Sequence, residues 1–126
     1  MSVQTVAGKF KELLNQGKHF EVMRTMYAPE MVSVEANGQE FVGKDVVIHK
    51  SEVFQGNNNI LSQDLRGPFI LGDPNASSGR FAVYTSIDFA PKAGGARVTH
   101  EEVGLYTVKN DTITREEFFY NDAPFA

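Results

Sequence analysis

The 126-residue chain contains no cysteine. That excludes disulfides, thiolate metal sites, a cysteine nucleophile and thiol redox chemistry, and it suits a reducing compartment. No apolar run approaches the roughly 20 residues that span a bilayer, and the start, MSVQTVAGKF, lacks the cationic segment and apolar run of a secretion signal. The expectation is a soluble, cytoplasmic protein with no membrane partner. Cations are few and scattered singly: 12 Lys and Arg stand against 16 Asp and Glu, a net charge of −4. With no basic stripe to follow a phosphate backbone, nucleic acid is not an expected partner. The glycine-rich stretch GDPNASSG precedes a strand rather than a helix and lacks the lysine of a phosphate loop, so it reads as a plain loop. His19 lies in a junction between helices and His49 on an exposed helix face, so neither joins His100 in a metal constellation. Neither a metal nor any other cofactor is expected, and no repeat or linker divides the chain.

What is present is enough apolar sequence for one domain. Apolar residues make up 41% of the chain and aromatics 11%, so residues 1–126 can bury a core without staples. Val3, Val6, Ala7, Phe10, Leu13 and Leu14 recur at the spacing of one helix face, stopped at Gly17. Phe20, Met23, Met26 and Tyr27 repeat the pattern until Ala28-Pro29. Met31 to Ala36 reads as a strand turning at Asn37-Gly38 into a hairpin partner, Glu40 to Val42. From Gly43 a third helix carries Val46, Val47, Val53 and Phe54 on one stripe and ends near Gly56. Four long strands follow, Ile60 to Leu71, Arg80 to Phe89, Arg97 to Lys109 and Thr112 to Tyr120, as an antiparallel meander. Helices first and consecutive strands after give an α+β fold, three helices covering the inner face of one curved, mostly antiparallel sheet.

The last two strands carry acids inside apolar sequence. Side chains alternate across a strand, so His100 and Glu102 share a face with Tyr106, and Glu116 shares one with Phe118 and Tyr120. Glu116 and Glu117 put an acid on each face, so one carboxylate points inward whichever register holds. An inward acid against an aromatic would hold its proton more tightly unless a cation compensates, whereas a salt bridge to Arg80, Arg97 or Arg115 would simply fix the sheet. Lys50 falls on the apolar stripe of the third helix. It either meets Glu102 or Glu116 in an ion pair able to grip an anionic or carbonyl group, or lays its stem over apolar surface with its ammonium in water.

The order α-α-β-β-α-β-β-β-β resembles the cone-shaped nuclear transport factor two-like superfamily. The stretches MYAPEMVSVE, GKDVVIHKSE and EEVGLYTVKNDTITREEFFY resemble the SnoaL-like polyketide cyclase branch in particular. The resemblance implies a cone with a deep apolar pocket, often in homodimers joined through the outer sheet face, hosting cyclases, isomerases, hydrolases or non-catalytic binders. The ketosteroid isomerase type of site, carried over residue by residue, falls on Phe10, Ala36 and Gly104, none of which keeps the tyrosine, base or acid that chemistry needs. The Asp-Arg-Asp set of epoxide hydrolases of this fold is also missing.

The same register places Tyr84, Ser86, Asp88, His100, Glu102 and Tyr106 inward, with Asp88 opposite His100 as a base whose carboxylate orients the ring. A slip of one residue would turn all of them to water. Asp88, His100, Glu102 and Glu116 are thus the candidate catalytic groups. Phe10, Tyr27, Val34, Ala36, Lys50, Phe54, Tyr84, Ser86, Gly104, Phe118 and Tyr120 are the candidate pocket lining. The expected partner is a small hydrophobic or carbonyl-containing molecule, either turned over by acid–base chemistry of the cyclase or isomerase kind or carried without reaction.

Overall fold

In the computed structural model, which describes residues 2–121, α1 (Val3–Asn15), α2 (His19–Met26) and α3 (Lys44–Asn57) pack on one six-stranded sheet. Ser2 caps α1 by accepting the Thr5 N–H at 3.2 Å, satisfying one of the donors a helix start leaves open. The other end closes at Gly17, whose φ of +73° a side chain would resist. β1 (Tyr27–Val34) follows α2 without a break, and Ala28-Pro29 lies inside it.

The strands run β2-β1-β6-β5-β4-β3 across the sheet, with β2 (Glu40–Val42), β3 (Asn58–Leu71), β4 (Ser78–Pro91), β5 (Val98–Lys109) and β6 (Thr112–Phe119). β3 to β6 form the expected antiparallel meander, and β6 then lies parallel to β1. Asn110 and Asp111 take φ of +47° and +73° between Lys109 and Thr112, which face each other. Two left-handed residues in a two-residue connection match the twist of a hairpin.

The core lies between the sheet and the helices: Val3, Val6, Ala7 and Phe10 of α1, Met26 of α2 and Val47 of α3 meet Met31, Phe81, Val83, Tyr106, Val108 and Ile113. At its centre the rings of Phe10, Phe81 and Tyr106 touch, with Phe81 and Tyr106 stacked 5.1 Å apart. α3 departs from its expected stripe. Val47 is buried, but Val46 and Val53 are 47% and 49% exposed, and the side turned to the sheet carries Val47, Lys50 and Phe54 instead. No helix of the described residues is long and apolar enough to cross a membrane.

Candidate functional site

Strand phase decides which side chains reach the inner face. On β5 the even-numbered residues point inward, as the sequence suggests: His100, Gly104, Tyr106 and Val108 are buried. On β4 the phase is the opposite, with Phe81, Val83 and Phe89 buried. The cause is register. Ile87, not Asp88, stands opposite His100, while Asp88 faces Thr99, and a shift of one residue turns every side chain over. Asp88, Tyr84 and Ser86 therefore belong to the outer face, correcting their expected place in a pocket. Asp88 accepts hydrogen bonds from Thr99 at 2.6 Å, from Ser62 at 3.1 Å and from Arg97. These hold its carboxyl below the usual carboxylate range, the Thr99 bond foremost. Tyr84 donates to Glu101 at 2.5 Å on the same outer surface. Because Asp88 touches nothing on the inner face, Asp88→Asn should leave any activity unchanged within a factor of two, as assayed beside wild type.

β1 carries a second correction of the same kind. Met31 and Ser33 are buried while Val34 lies on the opposite side and Ala36 is exposed in the turn. The turn at Asn37-Gly38 is closed by Glu35 N–H to Gln39 O at 2.9 Å, so the strand ends with Ser33 and Glu35 on the inner side. Neither was among the expected site residues. Alternation from the buried Met31 is the signal that points to them.

Glu116, rather than Glu117, faces in. Glu116 is 2% exposed and stands beside Ser33 on β1 and Tyr106 on β5, whereas Glu117 meets Arg115 at 3.2 Å on the outer face. Ser33 donates to Glu116 Oε2 at 2.7 Å and Tyr27 donates to the other oxygen. Lys50 donates to Ser33 Oγ at 2.8 Å and pairs with Glu35, so its direct partner is neither of the two acids first considered. Tyr120 donates to Glu35 at 2.7 Å. The ammonium of Lys50 also lies 4.8 Å above the Phe41 ring and 5.5 Å from that of Phe118, at cation–π range. His100 Nε2 sits 3.3 Å from Glu102 Oε1, and its ring meets the edge of Tyr120 at 4.8 Å.

These groups form one continuous cluster graded from dry to wet. Glu116, Ser33 and Tyr27 are buried, His100 nearly so, and Glu102, Glu35, Lys50 and Tyr120 reach partly into solvent. Burial pushes the Glu116 carboxyl above its ordinary range, and Glu102 adds to this. The Tyr27 and Ser33 hydrogen bonds and the Lys50 charge offset it in part. Tyr27 and Tyr106 are raised far above an ordinary phenol, by burial first and by Glu116 next. Tyr120 is raised as well, by burial and then by its bond to Glu35. Carboxylates thus crowd a partly dry space.

The remaining expected lining divides. Phe54 packs its ring edge-on to Phe89 at 5.2 Å, whereas Phe118, edge-on to Tyr106 and near the Lys50 ammonium, lines the cluster. Phe10 is core. Gly104 lies beneath Tyr106, whose ring atoms would stand 2.7–2.9 Å from any Cβ built there. Gly104→Ala should therefore push Tyr106 aside and lower stability by about 1–3 kcal/mol in denaturant titration. Two shallow clefts along α1, one lined by Gly8, Lys11 and Glu12 and the other by Gln4, Pro68 and Ile70, lie away from these groups and share none of their chemistry. Among the described residues no group of three or more His, Asp or Glu is arranged to hold a metal ion.

Comparison with known proteins gives this cluster a context. A family model described as SnoaL-like domain matches residues 1–120. A protein of Mesorhizobium loti, provisionally described as a SnoaL-like polyketide cyclase with carbohydrate phosphatase as a second description, is 37% identical, with a TM-score of 0.85 over 95% of this chain and 100% of that one. A SnoaL-like protein of Jannaschia sp. CCS1, described in the same provisional terms as a polyketide cyclase, shares the fold at 17% identity and TM-score 0.75, covering 98% of this chain and 90% of that one. So does a protein of Catenulispora acidiphila with a ketosteroid isomerase-like fold, solved with trimethylamine, at 14% identity and TM-score 0.63, covering 77% of this chain and 71% of that one. No curated protein matches the sequence.

Proposed function

Because the chain belongs to the SnoaL-like domain family, we propose that its inner-face cluster is a site for acid–base chemistry of the cyclase or isomerase type on a small carbonyl compound. The observation that carries this reading is Glu116: a carboxyl 2% exposed, contacted by two hydroxyls and by no direct cation. Such a group keeps its proton to higher pH than an ordinary carboxyl does. Glu102 and His100, joined at 3.3 Å and closer to solvent, supply the base. The carboxylate orients the imidazole. Phe118 and Tyr120 offer aromatic surface beside these groups, the Tyr120 hydroxyl already donating to Glu35. Enolisation asks only for positioned acids and bases, which this chain supplies from its own side chains.

A phosphate ester fits the cluster poorly. The one ammonium, Lys50, is already paired with Glu35, and Glu102 and Glu116 add further negative charge. A non-catalytic carrier of an apolar molecule is the second reading, favoured by one observation: among the described residues every buried side-chain nitrogen and oxygen has a hydrogen-bond partner. Hydrogen–deuterium exchange separates the two. A panel of enolisable ketones, β-diketones and β-ketoesters is incubated with protein in D₂O and followed by proton NMR. Catalysed loss of α-hydrogen signal that vanishes in Glu116→Gln supports the enzyme, and shift perturbations without exchange support the carrier.

The outer sheet face suits a homodimer. Phe69 and Phe119 are 58% and 56% exposed there, beside Val103 and with Tyr84 opposite Val103, an apolar surface of the sort that marks association. Phe119→Arg should convert a dimer to a monomer in sedimentation equilibrium, and an unchanged mass would remove this face. The cysteine-free composition suits a cytoplasmic setting.

A further inference from the structure

Ser33 is a fully buried hydroxyl between two groups that leave it no choice of direction. An ammonium has donors and no acceptor, so Lys50, 2.8 Å away, takes a lone pair of Ser33 Oγ. The Ser33 proton is then aimed at Glu116 Oε2, 2.7 Å away. A carboxyl facing an O–H donor is favoured in its ionised form. On the other oxygen, Tyr27 also donates, but a phenol can turn its bond round and accept. Ser33 held by Lys50 resists turning. The position of Lys50 is in turn fixed by Glu35 and by the rings of Phe41 and Phe118, and Glu35 by the Tyr120 hydroxyl at 2.7 Å.

We infer that Lys50 is a positioning residue which, by orienting the Ser33 hydroxyl, sets whether Glu116 holds a proton. This deepens the reading of Glu116 as the proton-exchanging group and rests on it. The groups that face Glu116 are Tyr27 and Ser33 of β1, Glu102 and Tyr106 of β5 and, through Ser33, Lys50 of α3. Glu102 opposes ionisation, and Lys50, by its charge and by holding the Ser33 hydroxyl, is the counterweight. Without it the carboxyl would hold its proton more tightly still and return less readily as a base.

The test is the pH titration of the Glu116 side-chain carboxyl, followed by carbon-13 NMR and assigned by its absence from Glu116→Gln. Lys50→Met and Ser33→Ala should each lower the acid dissociation constant of Glu116 about tenfold, the lower end for losing a neighbouring charge or hydrogen bond. The double variant should fall by less than the two single effects combined, because part of the Lys50 effect runs through the hydroxyl and only the remainder through its charge directly. Ser33→Thr, which keeps a hydroxyl, should titrate like wild type. If either single variant fails to fold, Lys50→Ala titrated with and without methylammonium takes its place. The small cation should refill the space between Glu35, Phe41 and Phe118 and restore the wild-type titration. An equal Lys50→Met effect in the Ser33→Ala background, or no effect in either, would overturn the inference while leaving Glu116 as the proton-exchanging group. An ordinary titration of Glu116 in the unaltered protein would instead remove the reading beneath it.

Discussion

Glu116→Gln is expected to slow α-hydrogen exchange of a responsive carbonyl compound by about 10²–10⁴-fold, the span that a positioned general acid or base contributes. Glutamine keeps nearly the volume of glutamate and can accept from Ser33 while its amide donates to Tyr27, whose hydroxyl is free to turn, so the fold should persist. Stability and activity should then move in opposite directions. Burial raises the Glu116 carboxyl in the folded state, so between the ordinary carboxylate value and that raised value the folded chain binds more protons than the unfolded one. Stability therefore falls as pH rises through this window. The variant has no proton to lose there, so its melting temperature, followed by circular dichroism from pH 4 to pH 8, should decline less steeply than that of wild type. A variant equally active with the same pH slope would show that Glu116 neither reacts nor is ionised at a cost.

Phe81→Ala should remove about 3–5 kcal/mol of stability, as expected for truncating a buried phenylalanine, and lower the melting temperature by roughly 10 °C or more. Phe81 is wholly buried. Its ring stacks on Tyr106 and meets Phe10 edge-on at 5.3 Å, so its loss leaves a hole between α1 and the sheet rather than a surface that can close. Tyr106 is both a neighbour of Phe81 and the residue opposite Glu116. The cavity should therefore also loosen the site, and urea denaturation together with the exchange rate would show both effects in one variant. Loss of less than about 1 kcal/mol would mean that the three-ring centre is not the keystone of the packing.

The elements of this fold are legible because each is written in a local pattern. The α1 stripe from Val3 to Phe10, the Asn37-Gly38 and Asn110-Asp111 turns and the α+β order are all decided by residues a few positions apart. The site is less legible because it depends on register between strands. Even spacing places His100 and Glu102 on the inner face of β5. Carrying that phase over the 92–97 connection to β4 fails, because the hairpin closes with Phe89 opposite Val98. Phe81, Val83 and Phe89 held the answer, being the large apolar residues of β4, while Tyr84, Ser86 and Asp88 suit the outer surface they occupy. On β6 the Thr107/Val108 irregularity lets Ile113 and Glu116 both face inward, a change of phase that alternation alone cannot foresee. Lys50 was legible as an anomaly on its helix. Its partners were not, because Ser33 lies on β1 and Glu35 just past its end, where the phase was one residue away.

Titration of the Glu116 carboxyl in the unaltered protein, by carbon-13 NMR between pH 3 and pH 9, bears most directly on the role given to this buried acid. The midpoint should lie above the ordinary 4.5 of a glutamate, shifted up by burial against the partial offset of Tyr27, Ser33 and Lys50. A midpoint at or below that value would mean that Glu116 is a settled carboxylate that holds β6 to β1, with no proton to give.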